Sequence, residues 1–473
     1  MRQQAVRQMR ENLRGGAGRL SIWAVALGAA VGLLVPLLSE ARRAVLFLAF
    51  VPGLGLILFP EVALALLQDA LVVVWLFATT LGLSATSGFA AAIGAIAVAG
   101  YAQLALRRRL SFRSWLSPIA VLNYALGGVL AIAFVYGGSS PAGRDKLIGY
   151  FAFNLLAFLL TSATPARRRR WLLYPFIGVA LVGLVGVVLA IVSGSVGERL
   201  SAFGSDPIWT SRLLCAGAII TAWLPRLSLM LKGPLALAFI AGSFFTGSRG
   251  PLTTVVIVFL VSFMVGAIMA KERRAAGKYI LSLGIIVIAI GVVFLGLRVL
   301  SGLAPDAPGL APIARIFRGG EDAQYNTYGR LLLYRQSLQQ FAANPLLGSG
   351  LGRLKPIVRG MEREYSHNII LEFASETGLL GLTVHLVTMG MVVWGVAQYW
   401  RVPKRCADQD MRIGLLMLLF AYVNAFMSGD LVGNKLLWYF MGFLNGILTE
   451  HGIMRRPAAG ETLPIAAPAS SLE

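Results

Sequence analysis

The sequence predicts an all-α integral membrane protein, and three observations carry that prediction. Of its 473 residues, 57% are hydrophobic and only 13% are charged, against about 25% charged in a soluble domain. Runs of about 20 apolar residues recur from Leu20 to Leu448, each long enough to cross roughly 30 Å of hydrocarbon as a helix. The basic residues, which set a formal net charge of +21, fall in short clusters between those runs. In a soluble chain that charge would point to nucleic acid. Arranged this way it is the pattern that membrane orientation produces, and nucleic acid is excluded as a partner.

Taken in order, hydropathy predicts spans at 20–39, 43–59, 62–83, 88–106, 115–137, 146–163 and 171–193. It continues with 211–230, 233–246, 251–270, 278–298, 367–399, 412–428 and 433–449. The expected total is therefore about 12–14, because several early runs are short or interrupted by Gly and Pro. The first run exceeds the 7–15 apolar residues of a cleaved signal peptide and reads as a retained span. This divides the chain into an N-terminal transmembrane bundle (1–298), one large partly helical external loop (299–366), C-terminal transmembrane helices (367–450) and a tail (451–473).

Orientation comes from the basic clusters: Arg107, Arg108, Arg109 and Arg113; Arg167 to Arg170; Arg226 and Lys232; Lys271, Arg273 and Arg274; Arg401, Lys404 and Arg405. Two predicted spans separate each neighbouring pair, so all share one side, the cytoplasmic one by the positive-inside rule. Both termini join them, with Arg2, Arg7, Arg10 and Arg14 at one end and Arg455 and Arg456 at the other. Arg42 and Arg43 break the pattern. On the opposite side lie 194–210, 247–250, 299–366 and 429–432. The large segment holds eight Lys/Arg and five Asp/Glu, but loops beyond roughly 60 residues are exempt from the charge rule. Within it Tyr328 to Phe341 reads as an amphipathic helix whose apolar positions are Leu331, Leu332, Tyr334, Leu338 and Phe341. Asn344-Pro345 stops that helix, and a folded lid over the membrane domain is expected. Cys215 and Cys406 give neither a disulfide framework nor metal-ligand spacing.

Three histidines are present. His451 follows the last span on the basic side and reads as a surface residue. His385 lies eighteen residues beyond His367, about 27 Å deeper on a straight helix, which separates it from the external loop. His367, in Glu364-Tyr365-Ser366-His367-Asn368, stands where the large loop enters a span. Unpaired N–H groups at a helix start disfavour imidazolium, and a neutral imidazole is what a general base requires. The competing reading makes Ser366 the helix cap and His367 an interfacial residue.

Glu372 and Glu376, with Asn368, form an i, i+4 stripe, about 7 and 13 Å below His367 on a straight helix. Intramembrane carboxylates are costly, and pairing with buried arginine or backbone donors is the expected role. Arg249 lies in the tight turn Thr246-Gly247-Ser248-Arg249-Gly250-Pro251, Arg199 in Glu198-Arg199-Leu200, and Arg330 follows Tyr328-Gly329. Guanidinium matches phosphate oxygens bidentately, whereas the structural alternative is snorkelling at a span end. Gly348-Ser349-Gly350-Leu351-Gly352 lacks the Lys-Ser/Thr of a phosphate loop and reads as a tight turn. No Asp-x-Asp pair stands in the external segments to hold a metal on a diphosphate, and no nucleotide motif is present.

Three segments in order, Thr246–Gly250, Asn344–Gly352 and Ser366–Gly381, make the chain resemble the O-antigen ligase and polymerase superfamily over about residues 195–450. The resemblance implies a membrane glycosyltransferase of GT-C-like architecture in a bacterial inner membrane, with both termini cytoplasmic and the active site facing the periplasm. It implies transfer of a glycan from undecaprenyl diphosphate to a sugar hydroxyl, with inversion and without metal or cofactor. Carried over, His367 would deprotonate the acceptor, Arg249 would bind the diphosphate, and Arg330 and Arg199 would assist. Asp430, in Ser428–Asn434, would orient His367 or hold an arginine. The implied partners are the lipid-linked glycan, a lipid A–core acceptor and membrane lipids. A ligase is the leading expectation; a polymerase, a protein O-oligosaccharyltransferase and a lipid-glycan flippase are the alternatives.

Overall fold

The computed structural model describes residues 55–69, 86–193, 199–225, 227–269, 321–354, 357–358, 361–362 and 365–454, with a few single positions elsewhere. Predicted span 20–39, nearly all of 278–298, most of 43–59 and the second half of 62–83 lie outside the described residues. So do both termini, most of 299–320, and Arg42, Arg43, Arg226, Lys271, Arg273 and Arg274.

In order the described chain forms α1 (Pro60–Gln68), α2 (Thr86–Leu106), α3 (Pro118–Tyr136), α4 (Pro141–Ala163), α5 (Tyr174–Val192), α6 (Pro207–Trp223), α7 (Leu229–Phe245) and α8 (Arg249–Met269). Then follow α9 (Glu321–Ala343), a hairpin of β1 (Ile357–Val358) and β2 (Met361–Glu362), α10 (Ile369–Trp400), α11 (Gln409–Met427) and α12 (Lys435–Glu450). The protein is an all-α integral membrane protein. Among the described residues six helices are long and apolar enough to cross a membrane.

Three helices start on one local signal, a capping side chain followed by proline: Ser117-Pro118, Ser140-Pro141 and Asp206-Pro207. Ser117 Oγ accepts from Ala120 N at 3.1 Å, Ser140 Oγ from Gly143 N at 3.0 Å, and Asp206 Oδ1 from Ile208 N at 2.7 Å. Each satisfies an otherwise unpaired N–H, while proline occupies the position that needs no donor. α6 ends earlier than hydropathy suggests, at Trp223 rather than 230, because Leu224 precedes Pro225 and such residues avoid helical backbone.

The core is built around α12, in which every residue from Leu436 to Thr449 is buried. A helix covered on all sides belongs at the centre of a bundle. α12 packs on α4 and α11, and Gly442 and Gly446 set its approach to α4. A Cβ on Gly442 would meet Phe158 O at 2.3 Å, and one on Gly446 would meet Ser162 O at 2.8 Å. Small residues four apart are the usual device for close helix contact in lipid, where apolar burial alone gives no preference for helix over lipid tail. Val121, Ile132, Val185, Leu237, Leu386 and Val393 are exposed, as lipid-facing positions are.

The cluster Arg167–Arg170 has a structural function. Arg168 pairs with Glu61 at 2.5 Å, Arg169 with Glu450 at 2.8 Å and Arg170 with Asp410 at 3.0 Å. Three consecutive arginines thus tie α1, α12 and α11 together at one end of the bundle. The turns at Gly137–Ser140, Gly247–Ser248 and Ser428–Asn434 lie at the other.

α9 covers the predicted 328–341 helix and extends it, but its buried face differs from the predicted one. Leu333 and Ser337 are buried, whereas Leu331, Leu338 and Tyr328 are exposed. The face is set by packing on α10, which places a serine inside.

Candidate active site

α10 is not the straight span expected over 367–399. Gly378 has φ 63° and ψ −160°, a conformation open to glycine because it has no Cβ. Phe373 and His385 are twelve residues apart, about 18 Å along a straight helix, yet their rings stack with centroids 4.5 Å apart. Residues 369–377 therefore fold back along the segment that starts at Leu379. The depth of 27 Å expected for His385 does not hold. Its ring, also stacked on Tyr422, lies against the arm that begins just after His367.

A broken helix inside a membrane exposes backbone groups that lipid cannot satisfy. The glycine-rich turn 344–352 supplies the partners. Ser349 N donates to Ser375 O at 2.8 Å and Gly350 N to Glu376 O at 3.1 Å. In return Leu379 N donates to Pro345 O at 2.8 Å and Leu380 N to Leu346 O at 3.2 Å. The same turn is anchored to α3 and the start of α4: Leu351 N donates to Ala133 O at 3.1 Å, Ser140 Oγ to Leu351 O at 3.2 Å, and Arg353 Nε to Gly137 O. Gly348 to Gly352 are thus wedged between α3, the start of α4 and α10, while Asn344 to Leu347 are exposed.

The folded-back arm is locked by a buried ion cluster. Lys146 Nζ donates to Glu372 Oε1 at 2.5 Å and to Glu376 Oε1 at 2.7 Å, with all three side chains at most 5% exposed. Glu372 Oε2 also accepts from Leu431 N at 2.9 Å. The expected backbone donor is Leu431 N, while the cationic partner is a lysine on α4 in place of the expected arginine. Removing one member of a buried ion pair costs about 3–5 kcal/mol, because the other charge stays buried. Lys146→Met is therefore expected to lower the thermal midpoint of the purified protein sharply, with recovery in Lys146→Met/Glu372→Gln/Glu376→Gln. An unchanged midpoint in the single variant would remove the lock.

His367 sits just before this arm. It is half-buried, has φ 58° and meets Tyr365 edge-on at 4.5 Å between ring centroids. A non-glycine residue in the left-handed region is uncommon and is held there by its surroundings. The helix cap is Asn368, not Ser366. Asn368 Oδ1 accepts from Ile370 N at 3.0 Å and Leu371 N at 3.2 Å, while Ser366 Oγ donates to Asn368 O. Asn368 is thereby occupied at the helix start and does not join the Glu372–Glu376 stripe.

The loop Ser428–Asn434 links the remaining parts. Leu431 N binds Glu372, and Asn154 Nδ2 reaches Leu431 O at 3.0 Å from the π-helical stretch Tyr150–Leu155 of α4. Arg212, from the start of α6, donates to Ser428 O at 2.8 Å, Asn424 O at 3.1 Å and Asn434 Oδ1 at 3.2 Å. Its guanidinium lies 4.7 Å from the Trp209 ring centroid and within electrostatic range of Tyr365 and Asp430. Asp430 Oδ1 accepts from Gly433 N at 2.6 Å.

Arg249 opens α8 beside the start of that loop: Thr254 Oγ1 lies 3.9 Å from Sδ of Met427, the last residue of α11. The Arg249 side chain is exposed. Arg249 and Asp430 thus lie near residues 427–434, at the end of the bundle opposite the Arg167–Arg170 cluster, and the arm that follows His367 is tied to the same loop by the bond from Leu431 N to Glu372. Arg199 and Arg330 are exposed. The sequence reading missed Lys146 and Arg212. An ionised residue inside an apolar run is itself a signal, although its partners emerge only in three dimensions.

Residues 234–386 match the model of a protein family described as O-antigen ligase. The matched stretch runs from within α7 to just past His385 and takes in Arg249, the wedge and the folded-back arm. No curated protein and no solved structure matches the chain.

Proposed function

Because residues 234–386 match the O-antigen ligase family model, we propose that this chain is an inverting ligase. It takes a glycan from undecaprenyl diphosphate and joins it to a sugar hydroxyl of lipid A–core. The broader assignment, a glycosyltransferase of ligase or polymerase type, follows from the family alone. The finer one is supported by one observation: the arm that begins after His367 and the start of α8 at Arg249 both meet residues 427–431.

In this scheme His367 takes the proton of the acceptor hydroxyl as that oxygen attacks the anomeric carbon, and the C–O bond to the diphosphate breaks on the opposite side. Arg249 neutralises the departing diphosphate, with Arg330 and Arg199 as further candidates on exposed positions. Fixed cationic donors aimed at developing charge are the usual largest contribution in such a step. Asp430 and Asn368 act on position: one shapes the 428–434 loop, the other fixes the helix start behind His367. Glu372 and Glu376 hold the arm through Lys146. The inner membrane, with the basic face cytoplasmic, is the setting this requires.

The test uses purified protein in nanodiscs with undecaprenyl-diphosphate glycan and two acceptors, lipid A–core or a second lipid-linked glycan. Product on lipid A–core is expected; elongated lipid-linked glycan would make the protein a polymerase, and neither product would return the flippase. Activity is expected to persist in EDTA, because arginines serve where a metal otherwise would. Loss in EDTA with recovery on adding a divalent cation would contradict that part.

A further inference from the structure

Between α1, α6 and the 430–435 loop lies a cavity of about 280 Å³ that the transfer scheme does not use, lined by Gln68, Asp69, Trp209, Leu213, Asp430 and Lys435, among others. Its polar inventory is unusual for a membrane-embedded space. Gln68 is only 6% exposed, and neither its Nε2 nor its Oε1 has a hydrogen-bond partner among the described residues; the same holds for Asp69 Oδ2. Buried polar atoms without partners are rare and mark a missing ligand or water. Lys435 is held with its ammonium 4.7 Å from the Phe153 ring centroid, within electrostatic range of both Asp69 and Asp430.

The lining restricts what fits. Two carboxylates against one ammonium disfavour a diphosphate, and the ammonium disfavours a bare cation. The volume falls below the roughly 300 Å³ at which drug-sized pockets begin, so it suits one ring, not an oligosaccharide. An aromatic surface beside carboxylate, amide and ammonium groups matches a pyranose, whose C–H face packs on an aromatic ring while its hydroxyls both donate and accept. We propose that this cavity is a monosaccharide subsite. Gln68 and Asp69 bind ring hydroxyls, Lys435 donates to a ring or hydroxyl oxygen, and Trp209 packs against the sugar. The identity of the glycan that supplies the ring rests on the transferase reading; the subsite itself does not.

The location fits that use. Trp209 is stacked by Arg212, which reaches the neighbourhood of Tyr365 beside His367. Asp430 lies one residue from Leu431, whose N–H holds the arm that begins after His367. A sugar in the cavity would therefore sit behind the proposed catalytic face and help to fix a substrate's register.

Two measurements on the full-length protein test this. The first is saturation-transfer difference NMR in detergent with free monosaccharides: a hexose, an N-acetylhexosamine and a heptose. At least one is expected to receive saturation from wild type and to lose it in Gln68→Met and Asp69→Asn. Silence from all three, or an unchanged signal in both variants, would overturn the subsite. Gln68→Met is the folding control: losing two unpartnered polar atoms should leave the thermal midpoint unchanged or higher. The second is steady-state transfer. Gln68→Met is expected to raise KM for one substrate about tenfold, equivalent to ~1.4 kcal/mol, with kcat nearly unchanged. The substrate whose KM rises identifies the ring as the donor's or the acceptor's, and no change in either overturns the proposal. If wild type transfers nothing, the transferase reading fails while the NMR result still decides the subsite.

Discussion

Gly350→Ala is expected to abolish the folded protein or to lower its stability by about 3 kcal/mol or more, the combined order of overpacking and left-handed backbone strain. Gly350 has φ 100°, and a Cβ there would stand 2.3 Å from Gly137 Cα and 2.9 Å from Gly137 N. Both obstacles are backbone, so no rotamer change relieves them. Moving the wedge away would break the bonds from Ser349 N and Gly350 N that cover the end of the folded-back arm. The arm carries Glu372 and Glu376, and the displacement would reach Lys146 as well. Gly128→Ala serves as the comparison: it lies inside α3 with nothing within 4 Å of the added Cβ, so it should be neutral or slightly stabilising. Thermal midpoints and monodispersity in detergent separate the two. A Gly350→Ala protein with a wild-type midpoint would mean that the wedge does not support the break.

Much of the fold was legible because bilayer thickness dictates it. α2, α3, α5, α8, α11 and α12 fall within a few residues of the hydropathy spans, since an uninterrupted apolar run has little choice in lipid. The failures were of another kind. Gly378 in Thr377-Gly378-Leu379-Leu380 looks like an ordinary glycine in an apolar helix, and nothing in composition reveals that the chain reverses there. The reversal is fixed by the wedge some thirty residues earlier, so its cause is tertiary. α9 failed for a similar reason: periodicity chose Leu331 and Leu338, but contact with α10 buries Leu333 and Ser337. Within the site, His367, Arg249 and Asp430 could be picked out because histidine is scarce and charges at span ends are conspicuous. Lys146 and Arg212 carried a signal as charges inside apolar runs, but their roles come only from partners on other helices.

The second large effect concerns His367. Replacing it with glycine removes the imidazole and suits the backbone, because glycine adopts φ 58° without the order of 1–3 kcal/mol that such strain costs other residues. His367→Gly should therefore be at least as stable as wild type, yet slower in transfer by roughly 10²–10⁴, the usual contribution of general acid–base catalysis. A structural role would give the reverse pattern, lower stability with activity in proportion to folded protein. Arg249→Ala should cost about 10²–10³ in rate, the typical loss of one donor to developing negative charge. Arg249→Lys should recover little, because an ammonium cannot reproduce the bidentate fork.

The most direct measurement is the rate of glycan transfer from undecaprenyl diphosphate to lipid A–core by nanodisc-embedded His367→Gly, beside wild type and Gly128→Ala at matched folded protein. Transfer by the two latter proteins, with His367→Gly folded and slower by at least a hundredfold, is the expected result. Wild-type rates from a folded His367→Gly protein would show that no proton passes through this residue and would contradict the account.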